Sequence, residues 1–236
     1  MKEKQMSKKI GIIGAMKIEV ESLADMLENR RDSVCSGITF HEGNIGDREL
    51  VLAVSGVGKV FAALCAQTMI IKYGVDVIIN TGVAGGLHPD LKICDAVVAS
   101  RVVQHDMDTS PLGDPIGLLS GINLVYLDCD EKIVTTLEKC VAKTGTKCLK
   151  GTIASGDVFV ASEDKKRFIR ESFDAYACEM EGAAIGHACY VNGIPFGVLR
   201  TISDGGDDMD FMTFAGIAAE KGKKIILEFV SDYKGE

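Results

Sequence analysis

Several features are missing from the 236-residue sequence, and each absence excludes a class of protein. There is no run of about 18 apolar residues, so no membrane-spanning helix is predicted. The eight cysteines form no CxxC pair and no histidine stands at ligand spacing, so neither a zinc site nor a disulfide framework is indicated. We expect no metal, no cofactor and a reducing, cytoplasmic location.

Basic residues are fewer than acidic ones, 26 against 34, which gives a formal net charge of −8. Such a balance repels the phosphate backbone of nucleic acids and the surface of anionic membranes. We therefore expect neither a nucleic-acid partner nor a membrane partner. A small neutral ligand is not affected by this charge.

Familiar catalytic and phosphate-binding motifs are also missing. No GxSxG elbow occurs, and the four histidines pair with no obvious nucleophile. The stretch SGVGK (55–59) has neither the third glycine of a dinucleotide-binding loop nor the spacing of a P-loop. Serine or cysteine hydrolase chemistry is therefore disfavoured.

Strand-like and helix-like segments alternate along the whole chain, which predicts one α/β domain around a mostly parallel or mixed sheet. The apolar periodicity predicts helices at 18–30 and 214–233, among others, and Ser162 marks the start of a further helix. The stretch 104–121 is irregular and too long for a simple connection, so we interpret it as a lid or a subunit contact.

Three carboxylates directly follow predicted strands: Glu19, Glu181 and Asp204. Each alone has a structural explanation, because a glutamate favours a helix N-terminus and an aspartate often forms a turn. Together, at strand ends of one sheet, they indicate acid and base chemistry. In the TGVAGG stretch, Gly85 either lets a ligand approach the backbone or forms a plain tight turn.

Six stretches, in this order and spacing, resemble the 5′-methylthioadenosine/S-adenosylhomocysteine nucleosidases of the nucleoside phosphorylase superfamily. The resemblance implies a single α/β domain with a mixed, partly barrel-like sheet flanked by helices. The likeness begins at Lys9 and implies a nucleosidase domain at 9–236, and we expect residues 1–8 to be a disordered N-terminal extension. The stretches are GIIGAMKIEV, SGVGKVFAAL, DVIINTGVAGGL, SGDVF, CEMEGAAIGH and RTISD.

The activity implied by the resemblance is hydrolysis of the N-glycosidic bond of methylthioadenosine and adenosylhomocysteine, and also of 5′-deoxyadenosine. Glu19 matches the glutamate that activates water, Asp204 the aspartate that protonates adenine N7, and Glu181 the carboxylate that binds the ribose hydroxyls. Adenine leaves more easily when neutral, so Asp204 has to carry a proton while Glu19 accepts one. We expect Glu179 to be a structural support for Glu181.

Seven further positions match residues that contact the substrate in the family. They are Val57 and Phe211 beside the 5′-alkylthio group, Gly85 in the pocket wall, Phe159 stacked on adenine, Val160 bound to adenine through its backbone, Met180 beside the sugar, and Arg200 near the water.

The chain also departs from the family pattern. Val83 stands where some relatives have a serine near the water, and Leu112, Asp114 and Ser120 replace residues that close the neighbouring subunit's alkylthio pocket. The resemblance therefore implies a homodimer with loop 104–121 near the partner's active site. It does not rank the possible 5′-substituents.

Two other functions remain open at this point. A nucleoside phosphorylase would attack the same carbon with phosphate, but where such relatives place an arginine this chain has Asn80, and phosphate needs cationic partners. A non-catalytic nucleoside-binding protein would not need both an acid and a base.

Overall fold

The computed structural model describes residues 8–204 and 208–235, which form one α/β domain. Its strands are β1 (Ile10–Gly14), β2 (Glu28–Cys35), β3 (Ile38–Ile45), β4 (Arg48–Val54), β5 (Val77–Gly86), β6 (Ala96–Gln104), β7 (Tyr126–Asp128), β8 (Cys148–Ser155), β9 (Ala175–Glu179) and β10 (Phe196–Asp204). Its helices are α1 (Lys17–Ala24), α2 (Lys59–Tyr73), α3 (Glu131–Lys143), α4 (Glu163–Phe173), α5 (Gly182–Asn192) and α6 (Asp208–Asp232).

The described strands all belong to one mixed sheet with the order β10-β6-β8-β9-β5-β1-β4-β3-β2, and β7 pairs with β6. Strand β10 pairs with β5 as well as with β6. This second pairing closes the strands β5, β9, β8, β6 and β10 into a ring. The predicted mixed, partly barrel-like sheet is therefore confirmed.

The ends of several strands converge at Gly85. This residue pairs with Asp204 of β10 on one side and with Cys178 of β9 on the other. Although β5 and β9 run antiparallel, they overlap by only two residue pairs, at the C-terminal end of each strand. Carboxyl ends from both parts of the sheet thus meet at one place, which is where α/β proteins bind ligands.

Helices cover the sheet, and one cluster of buried apolar side chains runs from Ile10 in β1 to Tyr233 beyond α6. Helix α2 packs against the sheet through buried residues that recur at helical spacing. The helix is closed by Gly74, whose φ of 62° suits glycine. Those buried residues are Ala62, Cys65, Ala66, Met69 and Tyr73. A continuous core of this kind agrees with the predicted single domain.

Some predicted boundaries were wrong. Helix α1 ends at Ala24 rather than at residue 30, because residues 28–35 form β2. That strand lies at the sheet edge with mostly exposed polar side chains, so it lacks the alternation that identifies a half-buried strand. Helix α6 begins at Asp208 instead of Phe214. The predicted start of α4 is confirmed, since Ser162 Oγ accepts from the Lys165 N–H.

Two sequence features lie outside the described residues. Residues 1–7 contain most of the predicted N-terminal extension, and 205–207 belong to the acidic loop after Asp204. Among the helices that the structure describes, none has the length and apolar character needed to cross a membrane.

Candidate active site

A pocket lies at the point where the strand ends converge, and it contains nine of the ten predicted site residues. The exception is Arg200, which is 1 % exposed and lies behind the pocket wall rather than in it. The nine are Glu19, Val57, Gly85, Phe159, Val160, Met180, Glu181, Asp204 and Phe211.

Glu19 enters the pocket from the first turn of α1 and is almost fully buried. Its Oε2 accepts from the backbone N–H groups of Ala15 (2.7 Å) and Met16 (2.9 Å), and its Oε1 accepts from that of Val83 (3.0 Å). Burial raises the pKa of Glu19, while the charge of Arg200 and these donors oppose the increase. A carboxylate with a raised pKa is well suited to accept a proton near neutral pH.

Gly82 explains how Arg200 comes close to Glu19. A Cβ atom at Gly82 would overlap both the Arg200 guanidinium and the Glu19 carboxylate. Only glycine therefore leaves room for this buried cation beside the carboxylate. The sequence motif TGVAGG drew attention to Gly85 but not to Gly82.

Glu179 and Glu181 are separated by one residue and have different surroundings. Glu179 accepts from the N–H groups of Glu181 (3.1 Å) and Gly182 (2.8 and 3.0 Å), so it satisfies the N-terminus of α5. Glu181 makes no such cap; its Oε1 accepts from the Gly58 N–H at 2.9 Å. Glu179, and not Glu181, is thus the glutamate that stabilises the N-terminus of α5. The Glu181 carboxyl group can instead bind a ligand in the pocket.

Behind the pocket wall, Arg200 joins several buried polar groups. Its Nη2 donates to Glu179 and to the Asn80 side chain, and lies 3.6 Å from Glu181 Oε2. The Ser155 hydroxyl donates to Glu179 and accepts from the Ala183 N–H at 2.7 Å. Sequence analysis missed the roles of Asn80 and Ser155, because nothing in their local sequence indicates partners so far away in the chain.

The environment of Glu181 favours its protonated form. Burial, followed by the charge of Glu179, raises the pKa of Glu181 to about 7, although Arg200 and the Gly58 N–H act in the opposite direction. The side chain can therefore change its protonation state near neutral pH. A ligand that donates hydrogen bonds to it would favour the ionised form.

Asp204 ends β10 and is 2 % exposed. Its Oδ2 accepts from the Ser203 hydroxyl at 2.8 Å, and its Oδ1 would lie 3.3 Å from a Cβ atom at Gly85. The absence of a side chain at Gly85 keeps the approach to this carboxyl group open from β5. Asp204 therefore lines the pocket from a buried position in the closed ring of strands.

The outer part of the pocket is apolar and more exposed. Phe159 is 47 % exposed, and its ring meets that of Phe211 edge to face with centroids 5.8 Å apart. Val57 is also half exposed, whereas Val160 is buried. These side chains can cover a flat aromatic ligand, since ring faces favour stacking contacts.

The irregular stretch 104–121 has local structure of its own. A short 3-10 helix spans Ser110–Leu112, the side chain of Leu112 is exposed, and Asp114 accepts from the Thr109 hydroxyl at 2.8 Å. Val83, by contrast, lines the pocket beside Glu19. Among the described residues, no group of three or more metal-binding side chains is present.

Comparison with known proteins identifies clear relatives. Residues 9–231 match the family model of the phosphorylase superfamily. The 5′-methylthioadenosine/S-adenosylhomocysteine nucleosidase of Shewanella halifaxensis is 40% identical over 198 residues, which are 83% of this chain and 86% of the relative.

Two solved structures share the fold over almost their whole length. The S-adenosylhomocysteine nucleosidase of Streptococcus pyogenes, in complex with 5-methylthiotubericidin, has a TM-score of 0.93 and 36% identity, covering 97% of this chain and 98% of that one. Futalosine hydrolase of Helicobacter pylori has a TM-score of 0.92 and 34% identity, covering 97% and 99%.

Proposed function

The chain belongs to the phosphorylase superfamily and, within it, to the 5′-methylthioadenosine/S-adenosylhomocysteine nucleosidases, and from this premise we propose the reaction that its pocket performs. The enzyme hydrolyses the N-glycosidic bond of methylthioadenosine and adenosylhomocysteine and releases adenine and the thioribose. 5′-Deoxyadenosine is a further substrate.

The observation that carries this proposal is the position of three buried carboxyl groups in one pocket. Glu19, Glu181 and Asp204 come from α1, the start of α5 and the end of β10, and all three line the same cavity. Burying three carboxyl groups together costs stability unless each is hydrogen-bonded, and such clusters are typical of functional sites. A nucleoside with a base to protonate, hydroxyls to bind and a carbon to attack would provide a task for each group.

In the proposed mechanism, Asp204 donates a proton to adenine N7, so that the base leaves as a neutral molecule. Glu19 accepts a proton from the attacking water, a role that suits its raised pKa and its position among backbone donors. Glu181 accepts hydrogen bonds from the ribose hydroxyls and places negative charge near the oxocarbenium-like sugar. No metal or cofactor is needed for these proton transfers.

The other predicted contacts complete the proposal. Phe159 stacks on adenine, Val160 binds its edge through the backbone, Gly85 allows the base to approach, and Met180 packs beside the sugar. The alkylthio group lies against Val57 and Phe211. Arg200 acts from behind the wall, where its charge supports Glu19 and Glu181.

Phosphorolysis is disfavoured by the electrostatics of the pocket. The described lining residues include four carboxyl groups and no lysine or arginine. The guanidinium of Arg200 is already bound by Glu179 and Asn80. A phosphate dianion at the site of the water would meet negative charge without a cationic partner.

We also propose a homodimer, with loop 104–121 near the partner's active site. Helices α2 and α5 pack side by side and expose several large apolar residues, a pattern typical of an interface. The exposed residues are Val60, Phe61, Leu64, Ile71, Tyr190 and Val191. Light scattering on the full chain tests this proposal, and we expect about twice the chain mass of 25.2 kDa.

The location and the domain limits are likewise proposals. All eight cysteines are free thiols, which fits a cytoplasmic enzyme because that compartment is reducing. The nucleosidase domain covers 9–236. The predicted N-terminal extension at 1–8 precedes it, and residues 1–7 lie outside the described part of the chain.

Product analysis in phosphate-free buffer tests the proposed function. We expect adenine and free methylthioribose from methylthioadenosine, and the same assay on adenosylhomocysteine, 5′-deoxyadenosine and futalosine compares the 5′-substituents. If the reaction depends strictly on added phosphate and yields a sugar 1-phosphate, the chain is a phosphorylase and the proposal fails.

A further inference from the structure

Outside the pocket lining, Lys59, Asp106 and Asp157 form a closed ring of hydrogen bonds. Lys59 Nζ donates to Asp106 Oδ1 at 2.7 Å, and the second oxygen of Asp106 accepts from the Asp157 N–H at 2.8 Å. The Asp157 Oδ1 in turn accepts from the Lys59 N–H at 2.8 Å. Lys59 therefore contributes two donors to the ring, its side-chain amine to Asp106 and its backbone N–H to Asp157.

The ring lies between two walls of the pocket. On one side, Gly58 donates its N–H to Glu181 Oε1 at 2.9 Å, and Val57 lines the pocket. On the other side, Asp157 is followed by the wall segment 158–160, which contains Phe159. If Lys59 moved relative to Asp157, the Gly58 N–H that binds Glu181 would therefore move relative to the wall segment 158–160.

Gly58 is required for this arrangement. Its φ is 101°, and a Cβ atom there would lie 3.0 Å from Asp157 Oδ1. A side chain at this position would be strained by that φ and would crowd the Asp157 carboxylate. The backbone is thus shaped so that the N–H of Gly58 and that of Lys59 reach two different carboxylates.

The same lysine reaches the base of loop 104–121. Lys59 Nζ also donates to Gln104 Oε1 at 3.1 Å. Burial acts to raise the pKa of Asp106, but hydrogen bonds from Lys59 and from the Asp157 N–H outweigh it and hold that pKa below its usual value. Asp106 therefore stays ionised, and the ring intact, throughout the neutral pH range.

We infer that Lys59 is a positioning residue for the reaction: it holds the Gly58 N–H against Glu181 and fixes the segment 158–160 opposite. This inference rests on the proposed function, in which Glu181 binds the ribose hydroxyls. Without Lys59, Glu181 loses its fixed orientation, and the enzyme discriminates less well between a ribose and a sugar that lacks the 2′-hydroxyl.

A surface ion pair with no positioning role offers a matched control. Lys143 Nζ lies 2.7 Å from Asp232 Oδ2, the same length as the pair of Lys59 and Asp106, but on the exposed side of α3 and α6. Exposed pairs of this kind contribute little to stability. Lys59→Met and Lys143→Met therefore each remove one positive charge and one ion pair of 2.7 Å, the first beside the pocket and the second on the surface.

The experiment compares kcat/KM for methylthioadenosine with that for its 2′-deoxy analogue. For Lys59→Met we expect the preference for the ribose substrate to fall about tenfold, the value of one hydrogen bond to a charged group. Lys143→Met is expected to keep the wild-type preference. In a Glu181→Gln background, Lys59→Met is expected to cause no further loss, because both changes act through the same side chain.

Each outcome separates this inference from the proposed function. If the wild-type chain releases no adenine, the proposed function and this inference both fail. If the wild type is active and Lys59→Met keeps its preference, or slows both substrates equally, the inference alone is overturned. If Lys59→Met does not fold, Asp106→Asn decides. An amide keeps only one of the two oxygens that accept in the ring, so one hydrogen bond is lost, and an unchanged preference for the ribose substrate would overturn the inference.

Discussion

At the inner end of the pocket, Glu19, Glu181 and Asp204 are buried at strand and helix ends, and backbone N–H groups or a hydroxyl hold each of them. At the outer end, Val57 and Phe159 are about half exposed and lie on connecting segments. The inner end is thus fixed by the sheet, while the outer end depends on loops. Under the proposed function, the sheet therefore positions the groups that carry out the chemistry, and the loops determine which nucleoside is preferred.

Substitutions at the inner end are the strongest test of this difference. Asp204→Asn and Glu19→Gln should each lower kcat/KM by about 10² to 10⁴, because each removes one proton transfer. Glu21→Gln, on the exposed side of the same helix as Glu19, should have no effect. Adenine release measures the rate, and thermal unfolding shows whether each variant is folded. An Asp204→Asn variant that is folded and fully active would contradict the assignment of the acid.

At the inner end, ionisation of Glu181 should also lower the free energy of unfolding as the pH rises. Because the pKa of Glu181 is raised from 4.5 to about 7, its contribution to stability is present below pH 4.5 and is lost as the pH rises through 7. Relative to Glu181→Gln, the wild type should lose roughly 3 kcal/mol of unfolding free energy between these limits. Urea unfolding of both proteins at pH 5 and pH 8 measures most of this difference. Parallel pH dependences would show that Glu181 titrates normally.

At the outer end, a smaller effect on binding is expected from Phe159→Ala. Loss of one base-stacking ring costs about 1 to 3 kcal/mol, so KM should rise about 5- to 150-fold, with a smaller effect on kcat. Phe168→Ala removes a phenylalanine of similar exposure on α4, outside the pocket, and serves as the control. Equal KM values for the two variants would argue against stacking at Phe159.

The smallest effect concerns the 5′-substituent. Val57→Ala removes two methyl groups from the outer wall, and each buried carbon contributes about 0.8 kcal/mol, so a half-exposed contact should change selectivity about two- to fivefold. We expect the preference for methylthioadenosine over 5′-deoxyadenosine to decrease by this factor. Val34→Ala, at the exposed sheet edge, should leave it unchanged. An unchanged preference in Val57→Ala would place the alkylthio group elsewhere.

The sequence was most informative where a polar residue directly follows an apolar strand. Glu19 and Asp204 could be selected in this way, because a buried strand has a recognisable pattern and its end has a known location in the fold. The edge strand β2 lacks such a pattern, since its polar side chains are exposed.

Contacts between distant residues could not be predicted by the same means. Arg200 meets Asn80, 120 residues away in sequence, and Lys59 meets Asp157 across 98 residues. Both contacts depend on which strands become neighbours, and no local pattern contains that information. The resemblance to a family places Arg200 near the water, and in the structure its guanidinium lies behind the pocket wall, beside Glu19.

The pairing of Gly85 with both Asp204 and Cys178 has a practical consequence for altering the enzyme. Every strand of the closed ring has two neighbours, so displacing one strand would break two hydrogen-bond ladders at once. Segments outside this closed ring of strands, such as 105–121 and 158–160, carry no such penalty. Engineers who wish to change the accepted nucleoside should therefore redesign these segments and leave untouched β10, which carries Asp204, the proposed acid.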